Sequence, residues 1–205
     1  EKKPTLGWRD VRHIMITTAD KVDDTRPAST LNVNGSNLTA EPAWQNNGAG
    51  HHYHNWYGFG RINAQAAVTA AGFYGSNLPA QQTKTETSPT LNLAIPDNSA
   101  TGTSHTLTVA SGNNLTVESV QVKLEFSHTY VSDLQIQLTS PSGMVSVLMT
   151  PRNGMGVAVT NQELVLLSQA FYGEDSLGGW TLEVFDTNGD DTGTLHDWSM
   201  TVYGH

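Results

Sequence analysis

VQVKLEF, residues 120–126, alternates apolar and polar side chains along its whole length. Because successive side chains of a β-strand point to opposite faces of the sheet, this alternation predicts a strand with one buried face. Between turn-forming sequences, the pattern recurs at residues 134–138, 145–147, 180–184 and 195–202. We therefore expect residues 91–205 to form an antiparallel β-sandwich with Trp180 and Trp198 in its core.

The first part of the chain, residues 1–75, has a different character. Apolar residues at spacings of three and four predict an amphipathic helix within residues 5–19, and an alanine-rich stretch after an Asn N-cap predicts a second helix at 63–73. Residues 20–50 have little periodicity and are expected to form a long surface loop, whereas the polar residues 76–90 read as a linker. Two short helices cannot enclose a core, so we expect an external polypeptide to cover them.

Composition excludes several classes of function. The 205 residues carry a formal net charge of −9 with only 10 Lys and Arg, which argues against nucleic-acid binding. The absence of cysteine excludes disulfides, thiolate metal sites and a cysteine nucleophile. The sequence contains no apolar run long enough to span a membrane.

Two motifs suggest chemistry that the surrounding sequence does not support. GHHYHNWYGFGR, residues 50–61, contains three histidines, but they lack the four-residue helical spacing that places two imidazoles on one face. We expect exposed histidines without a metal there. Ser104, in Gly102-Thr103-Ser104, is followed by a strand pattern and has no neighbouring base, so we do not assign it as a nucleophile.

The loop DTNGDDTGTLHD, residues 186–197, is the strongest candidate for a ligand site. Asp186, Asn188 and Asp190 offer oxygen atoms at alternate positions, which suits calcium. The sixth position holds Asp191 where an EF-hand has glycine, and strands flank the loop, so it is not an EF-hand. The alternative is that these are solvated turn residues or that they hydrogen-bond to their own backbone.

Several stretches together resemble the kexin/furin proprotein-convertase branch of the subtilisin-like serine proteases. Four of them resemble its P domain: IPDNS at 95–99, HTYVSDLQIQLTSPSG at 128–143, GGWTLEVFD at 178–186 and DTGTLHDWSMTVYG at 191–204. Three resemble the end of its catalytic domain: LGWRDVRHIMITTA at 6–19, NGAG at 47–50 and WYGFGRINAQAAV at 56–68.

The resemblance implies an organisation and a function. Residues 1–75 would end a subtilisin-type α/β catalytic domain, and residues 91–205 would form a jelly-roll-like P domain that stabilises it and helps to shape substrate access. The parent would be a secreted, calcium-dependent serine endopeptidase acting on protein or peptide substrates. Its catalytic Asp, His and Ser would lie before Glu1, in the remainder of the catalytic domain that is this chain's expected partner.

The resemblance also extends the metal prediction. It implies that Asp133 joins Asp186 and Asp191 around a structural calcium ion, with Glu174 and Asp175 as additional candidate ligands. The alternative to the protease assignment is a stand-alone, calcium-stabilised β-sandwich for binding or adhesion. That alternative requires a platform of exposed aromatic side chains, for which only Trp56, Tyr130 and Tyr172 are available.

Overall fold

The fold is mainly β, in a computed structural model that describes residues 3–205. The first part of the chain contains α1 (Trp8–Thr17), β1 (Ser29–Val33), β2 (Ser36–Glu41), β3 (Gln45–Asn46), β4 (His52–Tyr53) and α2 (Ala64–Phe73). The second part contains β5 (Gln82–Thr87), β6 (Leu93–Ile95), β7 (Thr103–Val109), β8 (Val117–His128), β9 (Leu134–Thr139), β10 (Val145–Met149), β11 (Val159–Ser168), β12 (Gly178–Asp186) and β13 (Gly193–Gly204).

The second part is an antiparallel β-sandwich, as the alternating sequence predicted. One sheet has the strand order β10-β9-β12-β7 and the other β11-β8-β13-β5, with β6 paired to the start of β13. The inward-facing apolar residues of both sheets form one core. Trp180 and Trp198 are both buried in it, and the ring of Phe171 meets that of Trp180 edge-on at 4.9 Å.

Both predicted helices are present. The carboxylate of Asp10 accepts a hydrogen bond of 2.8 Å from the backbone N–H of Gly7 and so caps the start of α1. The Asn63 side chain accepts one of 2.9 Å from the N–H of Ala66 at the start of α2. Within residues 3–205, no helix has the length and apolar character needed to cross a membrane.

The expectation that residues 20–50 form a long loop was wrong. Strands β1 and β2 form a hairpin whose two-residue turn is Asn34-Gly35, both at positive φ (49° and 81°). An Asn-Gly pair favours this turn type because both residues tolerate positive φ, so the sequence did contain the signal. Val33 and Leu38 of the hairpin pack against Phe185 of the sandwich.

Part of the predicted linker is also a strand. Residues 82–87 form β5, which pairs with β13 at the edge of its sheet. Its sequence, QTKTET, has no large apolar residue because both faces of this edge strand remain largely in solvent. The domain boundaries at 75, 76–90 and 91 stay a prediction.

The long strands define two ends of the sandwich. Val117 at the start of β8 lies opposite Gly204, whereas His128 at its end lies opposite Gly193. At about 3.3 Å per residue, these ends are roughly 35 Å apart. We call the end at Val117 and Gly204 the near end and the opposite one the far end.

Burial predicts which leucines stabilise the sandwich. Leu138 is fully buried on β9, whereas Leu167 on β11 is 59% exposed. Leu138→Ala is expected to lower the free energy of unfolding by about 2–5 kcal/mol, because it leaves a cavity. Leu167→Ala, measured in the same denaturant titration, is expected to change it by about 0.5 kcal/mol or less. Equal losses in the two variants would contradict this description of the core.

Candidate functional site

The near end of the sandwich holds a fully buried carboxylate, that of Glu118 on β8. The Arg9 Nε atom lies 3.1 and 3.0 Å from its two oxygens, and Arg9 Nη2 also contacts it. Arg12 Nη2 donates to Glu118 Oε2 at 2.9 Å, and His205 Nδ1 lies 3.1 Å from Oε1. Two cations from α1 therefore neutralise one buried anion of the sandwich, which fixes the helix against it.

The arginines and Glu118 stabilise each other's charged forms. Burial alone would raise the pKa of Glu118, but hydrogen bonds from Arg9 and His205 and the charges of Arg9 and Arg12 lower it overall. The hydrogen bond to Glu118 raises the pKa of Arg9. Glu118 is therefore ionised in the folded protein at neutral pH.

A second buried carboxylate, that of Asp10, lies beside Arg9 on α1. Asp10 is buried, and its carboxylate accepts hydrogen bonds from the N–H groups of Gly7 and Leu78, at 2.8 and 2.7 Å, and from the Tyr74 hydroxyl. Burial would raise its pKa, but these hydrogen bonds lower it overall. Asp10 thus joins α1 to the segment that follows α2.

A second contact at the near end comes from the stretch NGAG. Asn47 is buried, and its amide donates to the carbonyls of Ala170 and Tyr172, both at 2.9 Å. The N–H of Gly48 donates to Glu174 Oε1 at 2.8 Å. Each of these bonds links the first part of the chain to the same turn of the sandwich, residues 170–174.

The same turn meets α1 through Tyr172. Its hydroxyl lies 3.0 Å from Nδ1 of His13, and the guanidinium of Arg12 lies over its ring at 5.2 Å. Burial raises the pKa of Tyr172 to about 12. Tyr172 is therefore a neutral, buried anchor and is not part of an exposed aromatic platform.

The first part of the chain also covers an edge of the sandwich. Gln45 donates to the carbonyl of Val145 at 2.8 Å and accepts from its N–H at 3.3 Å, while Asn55 donates to the carbonyl of Val147 at 2.9 Å. These side chains occupy the free backbone groups of β10, the last strand of its sheet. They act as a substitute for a neighbouring strand.

On the side away from the sandwich, α1 and α2 leave an apolar groove of about 380 Å³, which we call the α1–α2 groove. Every residue of α2 is at least partly exposed, although the helix is almost entirely apolar. Val11 and Val68 on its walls are 42% and 54% exposed. The groove is lined by Lys3, Leu6, Val11, Ile14, Met15, Ile62, Ala64, Ala67, Val68 and Ala71.

The histidine-rich stretch is structural, but it was wrong to expect all of its histidines to be exposed. His54 is buried, its Nδ1 accepts from the N–H of Trp56, and its ring lies 4.9 Å from that of Tyr57. The exposed ring of Trp56 carries the guanidinium of Arg26 at 3.8 Å. The cluster stabilises the loop that leads to α2.

The far end holds most of the predicted metal ligands. Asp186 is fully buried, and its Oδ2 lies 3.3 Å from His128 Nε2 but has no hydrogen-bond partner among the described residues. Asp133 Oδ2 accepts from the Asn188 amide at 3.3 Å, and Asp191 Oδ1 accepts from the Thr129 hydroxyl at 2.7 Å. Asp133, Asp186, Asn188 and Asp191 therefore lie in one region.

Charge accumulates at this end. Burial raises the pKa of Asp133, and the charges of Asp186 and Asp191 raise it further, against a hydrogen bond from Asn188. Asp190 is exposed, at positive φ (77°), and its backbone N–H donates to Asp97. Asp97 was not a sequence candidate, since its place beside the loop depends on the packing of distant segments.

These residues fit a calcium ion only in part. Across residues 3–205, no three His, Asp or Glu side chains form a ready set of metal ligands. The unpartnered Asp186 Oδ2 suits a cation, but Asn188 turns its NH₂ group towards Asp133. A rotation of that amide would present an oxygen atom, which is the ligand that calcium requires.

Glu174 and Asp175, the additional candidate ligands, do not belong to this region. They lie at the near end, where Glu174 and Asp175 pair with Val117 and Thr116, whereas Asp186 ends β12 at the far end. Glu174 Oε1 binds Gly48 and the Ser142 hydroxyl, and Asp175 accepts from the Asn114 amide at 3.0 Å. Both are occupied in holding loops together.

Comparison with known proteins identifies the sandwich first. A sequence model of the family described as "Proprotein convertase P-domain" matches residues 117–202. The crystal structure of the serine protease of Aeromonas sobria in complex with a chaperone superposes on 98% of this chain with a TM-score of 0.88, at 28% identity. The chain covers 40% of that protease chain.

Sequence similarity extends over the whole chain. The chain is 32% identical over its full length to proprotein convertase subtilisin/kexin type 6 of Rattus norvegicus, of which it spans 21%. It is 30% identical, over 98% of its length, to the Aeromonas sobria extracellular serine protease, of which it spans 39%. Residues 117–202 thus match the P-domain family, and the whole chain is similar to part of the length of these subtilisin/kexin-type and Aeromonas proteases.

The buried ion cluster predicts a large effect of one neutral substitution. Glu118→Gln preserves the shape of the side chain but leaves Arg9 and Arg12 without a counter-charge in a largely buried site. We expect it to lower the free energy of unfolding by about 3 kcal/mol, measured by denaturant titration. The matched control is Glu163→Gln, because Glu163 pairs with Lys123 on the exposed surface and should contribute little. Similar small losses in both variants would contradict the role of Glu118.

The pH dependence of stability has a definite sign. Because the pKa of Glu118 is lower in the folded chain than its ordinary value of 4.5, its stabilisation is complete above that value. This stabilisation is lost as the pH falls through the pKa that Glu118 has in the folded chain. Thermal melts below about pH 4.5 should therefore show a shallower loss of stability in Glu118→Gln than in the wild type. Parallel acid limbs for the two proteins would contradict this.

Proposed function

We propose that this chain is the C-terminal segment of a secreted, kexin-like serine endopeptidase. Residues 1–75 complete a catalytic domain whose catalytic Asp, His and Ser lie in the preceding polypeptide. The P domain stabilises that domain and helps to shape access of protein or peptide substrates. The observation that carries the proposal is the α1–α2 groove on a chain that is similar along its whole length to part of much longer proteases.

The occupant of the groove is the preceding part of the catalytic domain. The groove is apolar and faces away from the sandwich, so the P domain cannot cover it. Removing apolar surface of this kind from water within a folded domain contributes about 25 cal/mol per Å². The aligned relatives are much longer than this chain, which accounts for a covering segment in the same precursor.

The far end suggests a role for calcium in the same protein. An ion bound by Asp133, Asp186, Asn188 and Asp191 would offset the mutual repulsion of the three carboxylates and engage the unpartnered Asp186 oxygen. Asp190 is exposed and would contribute from the rim of the loop. Calcium would act as a structural ion, about one sandwich length from the junction with α1.

The alternative of a stand-alone binding module has less support. Of its candidate aromatic residues, Tyr172 is buried and Trp56 carries Arg26 over its ring. Tyr130 is 42% exposed at the far end, away from both. The three side chains do not form a shared platform, and this reading does not explain the groove.

The groove predicts how the chain behaves without its partner. Expressed alone, it should self-associate and bind a hydrophobic dye. With the preceding segment of its precursor supplied in trans, it should form a monodisperse complex that hydrolyses peptide bonds. Val68→Asp should prevent the complex, whereas the control Val165→Asp, at a similarly exposed site on β11, should not. Size-exclusion chromatography with light scattering measures both outcomes. A chain that is monomeric and dye-free by itself would overturn the proposal.

The calcium site predicts a ligand-dependent thermal midpoint. An ion that binds only the native state stabilises it by about 2.7 kcal/mol at a concentration one hundred times the Kd. The midpoint should therefore rise with added CaCl₂, and Asp186→Asn should abolish the rise. Asp197→Asn, which changes an acidic residue of β13 outside this group, should retain it. No rise in the wild type, or an equal rise in Asp186→Asn, would exclude the site.

A further inference from the structure

Two histidines from separate segments meet the same buried tyrosine at the near end. Nδ1 of His13 on α1 lies 3.0 Å from the Tyr172 hydroxyl. The ring of His51, in the loop between β3 and β4, lies 5.8 Å from the Tyr172 ring. Both imidazoles are partly buried between the first part of the chain and the sandwich.

The surrounding positive charge is already high. Arg9 and Arg12 lie on the same helix as His13, and His205 lies beside Glu118. His52 follows His51 directly in the sequence, and on the outer side Lys3 lies 5.8 Å from the Tyr74 ring. An additional proton on His13 or His51 would therefore enter a site that already holds two guanidinium groups.

The negative charges are engaged elsewhere. The Glu118 carboxylate binds both arginines and His205, and that of Asp10 binds Gly7, Leu78 and Tyr74. Glu174 Oε1 binds the N–H of Gly48 and the hydroxyl of Ser142, whereas Oε2 is buried without a hydrogen-bond partner and its charge is not among those that shift the pKa of His51. Among residues 3–205, the structure records no hydrogen bond from His13 or His51 to a carboxylate. Protonation of either imidazole would thus lack a direct counter-charge.

The surroundings of His13 and His51 lower the pKa of both imidazoles. Burial lowers the pKa of His13, and the charge of His205 lowers it further, against Asp10 and Glu118. Burial also lowers the pKa of His51, with contributions from His13 and His52. Because an unfolded histidine has a pKa of about 6.5, the open state binds more protons below that pH. The contacts of α1 and residues 47–51 with the sandwich therefore weaken as the pH falls below about 6.5.

We propose that His13, His51 and Tyr172 form an acid-sensitive latch between the catalytic segment and the P domain. The latch is closed while both imidazoles are neutral. Protonation places additional cations beside Arg9 and Arg12 and releases α1 and residues 47–51 from the sandwich. The sandwich itself stays folded through its own core.

Hydrogen–deuterium exchange of the 205-residue chain tests this directly. Exchange is measured at about pH 7.5 and about pH 5.5, a range in which ordinary carboxylates keep their charge, and is corrected for intrinsic rates. Protection of α1 and residues 47–51 should fall severalfold at the lower pH, because the open state binds more protons than the closed state. Protection of β9 and β12, which carry none of the residues bonded to α1, should not change. Light scattering at both pH values confirms equal association states.

Variants assign the effect to the two histidines. The double variant His13→Asn and His51→Gln keeps hydrogen-bonding groups but cannot gain a proton, so its protection should be the same at both pH values. His196→Gln removes a histidine bonded to Asn92 and Ser127 within the sandwich, and it should retain the wild-type response. A double variant that opens as much as the wild type would overturn the latch. If that variant does not fold, the wild type is sufficient for the test. Unchanged protection of the wild type at about pH 5.5 would by itself overturn the latch.

Discussion

The arrangement of this chain depends on one buried carboxylate. Glu118 has no access to solvent, so its charge is tolerable only while Arg9 and Arg12 reach it from α1. Removing α1 would leave an unpaired anion inside the sandwich, and removing the sandwich would leave two cations on a helix with little to hold it. Each part therefore stabilises the other.

The parts of the fold predicted correctly are those that depend on local periodicity. Alternation around Val120 and around Leu134 identified strands, and helical spacing after Trp8 identified α1. Such patterns record which face of an element is buried, whatever covers it. Strand β5 was missed for the same reason, because an edge strand with two polar faces has no such pattern.

The junction could not be predicted, because its partners are far apart in sequence. Arg9 and Glu118 are separated by 109 positions, and Glu118 looks like an ordinary polar residue of an alternating strand. The far end was partly predicted, since Asp186 and Asn188 are close in sequence. Its other members, His128 and Asp97, are brought there by strand register and loop packing. Contacts between residues that are distant along the chain cannot be inferred from a single sequence.

The covering of β10 by Gln45 and Asn55 has a consequence for cleavage of this chain between its first part and the sandwich. Cleavage that separated the P domain from the preceding residues would uncover an open backbone ladder of Val, Ser and Leu. Such a ladder readily recruits strands from other molecules, as in cross-β fibrils. While they are in place, these two amide side chains keep the edge of β10 from pairing with a strand of another molecule.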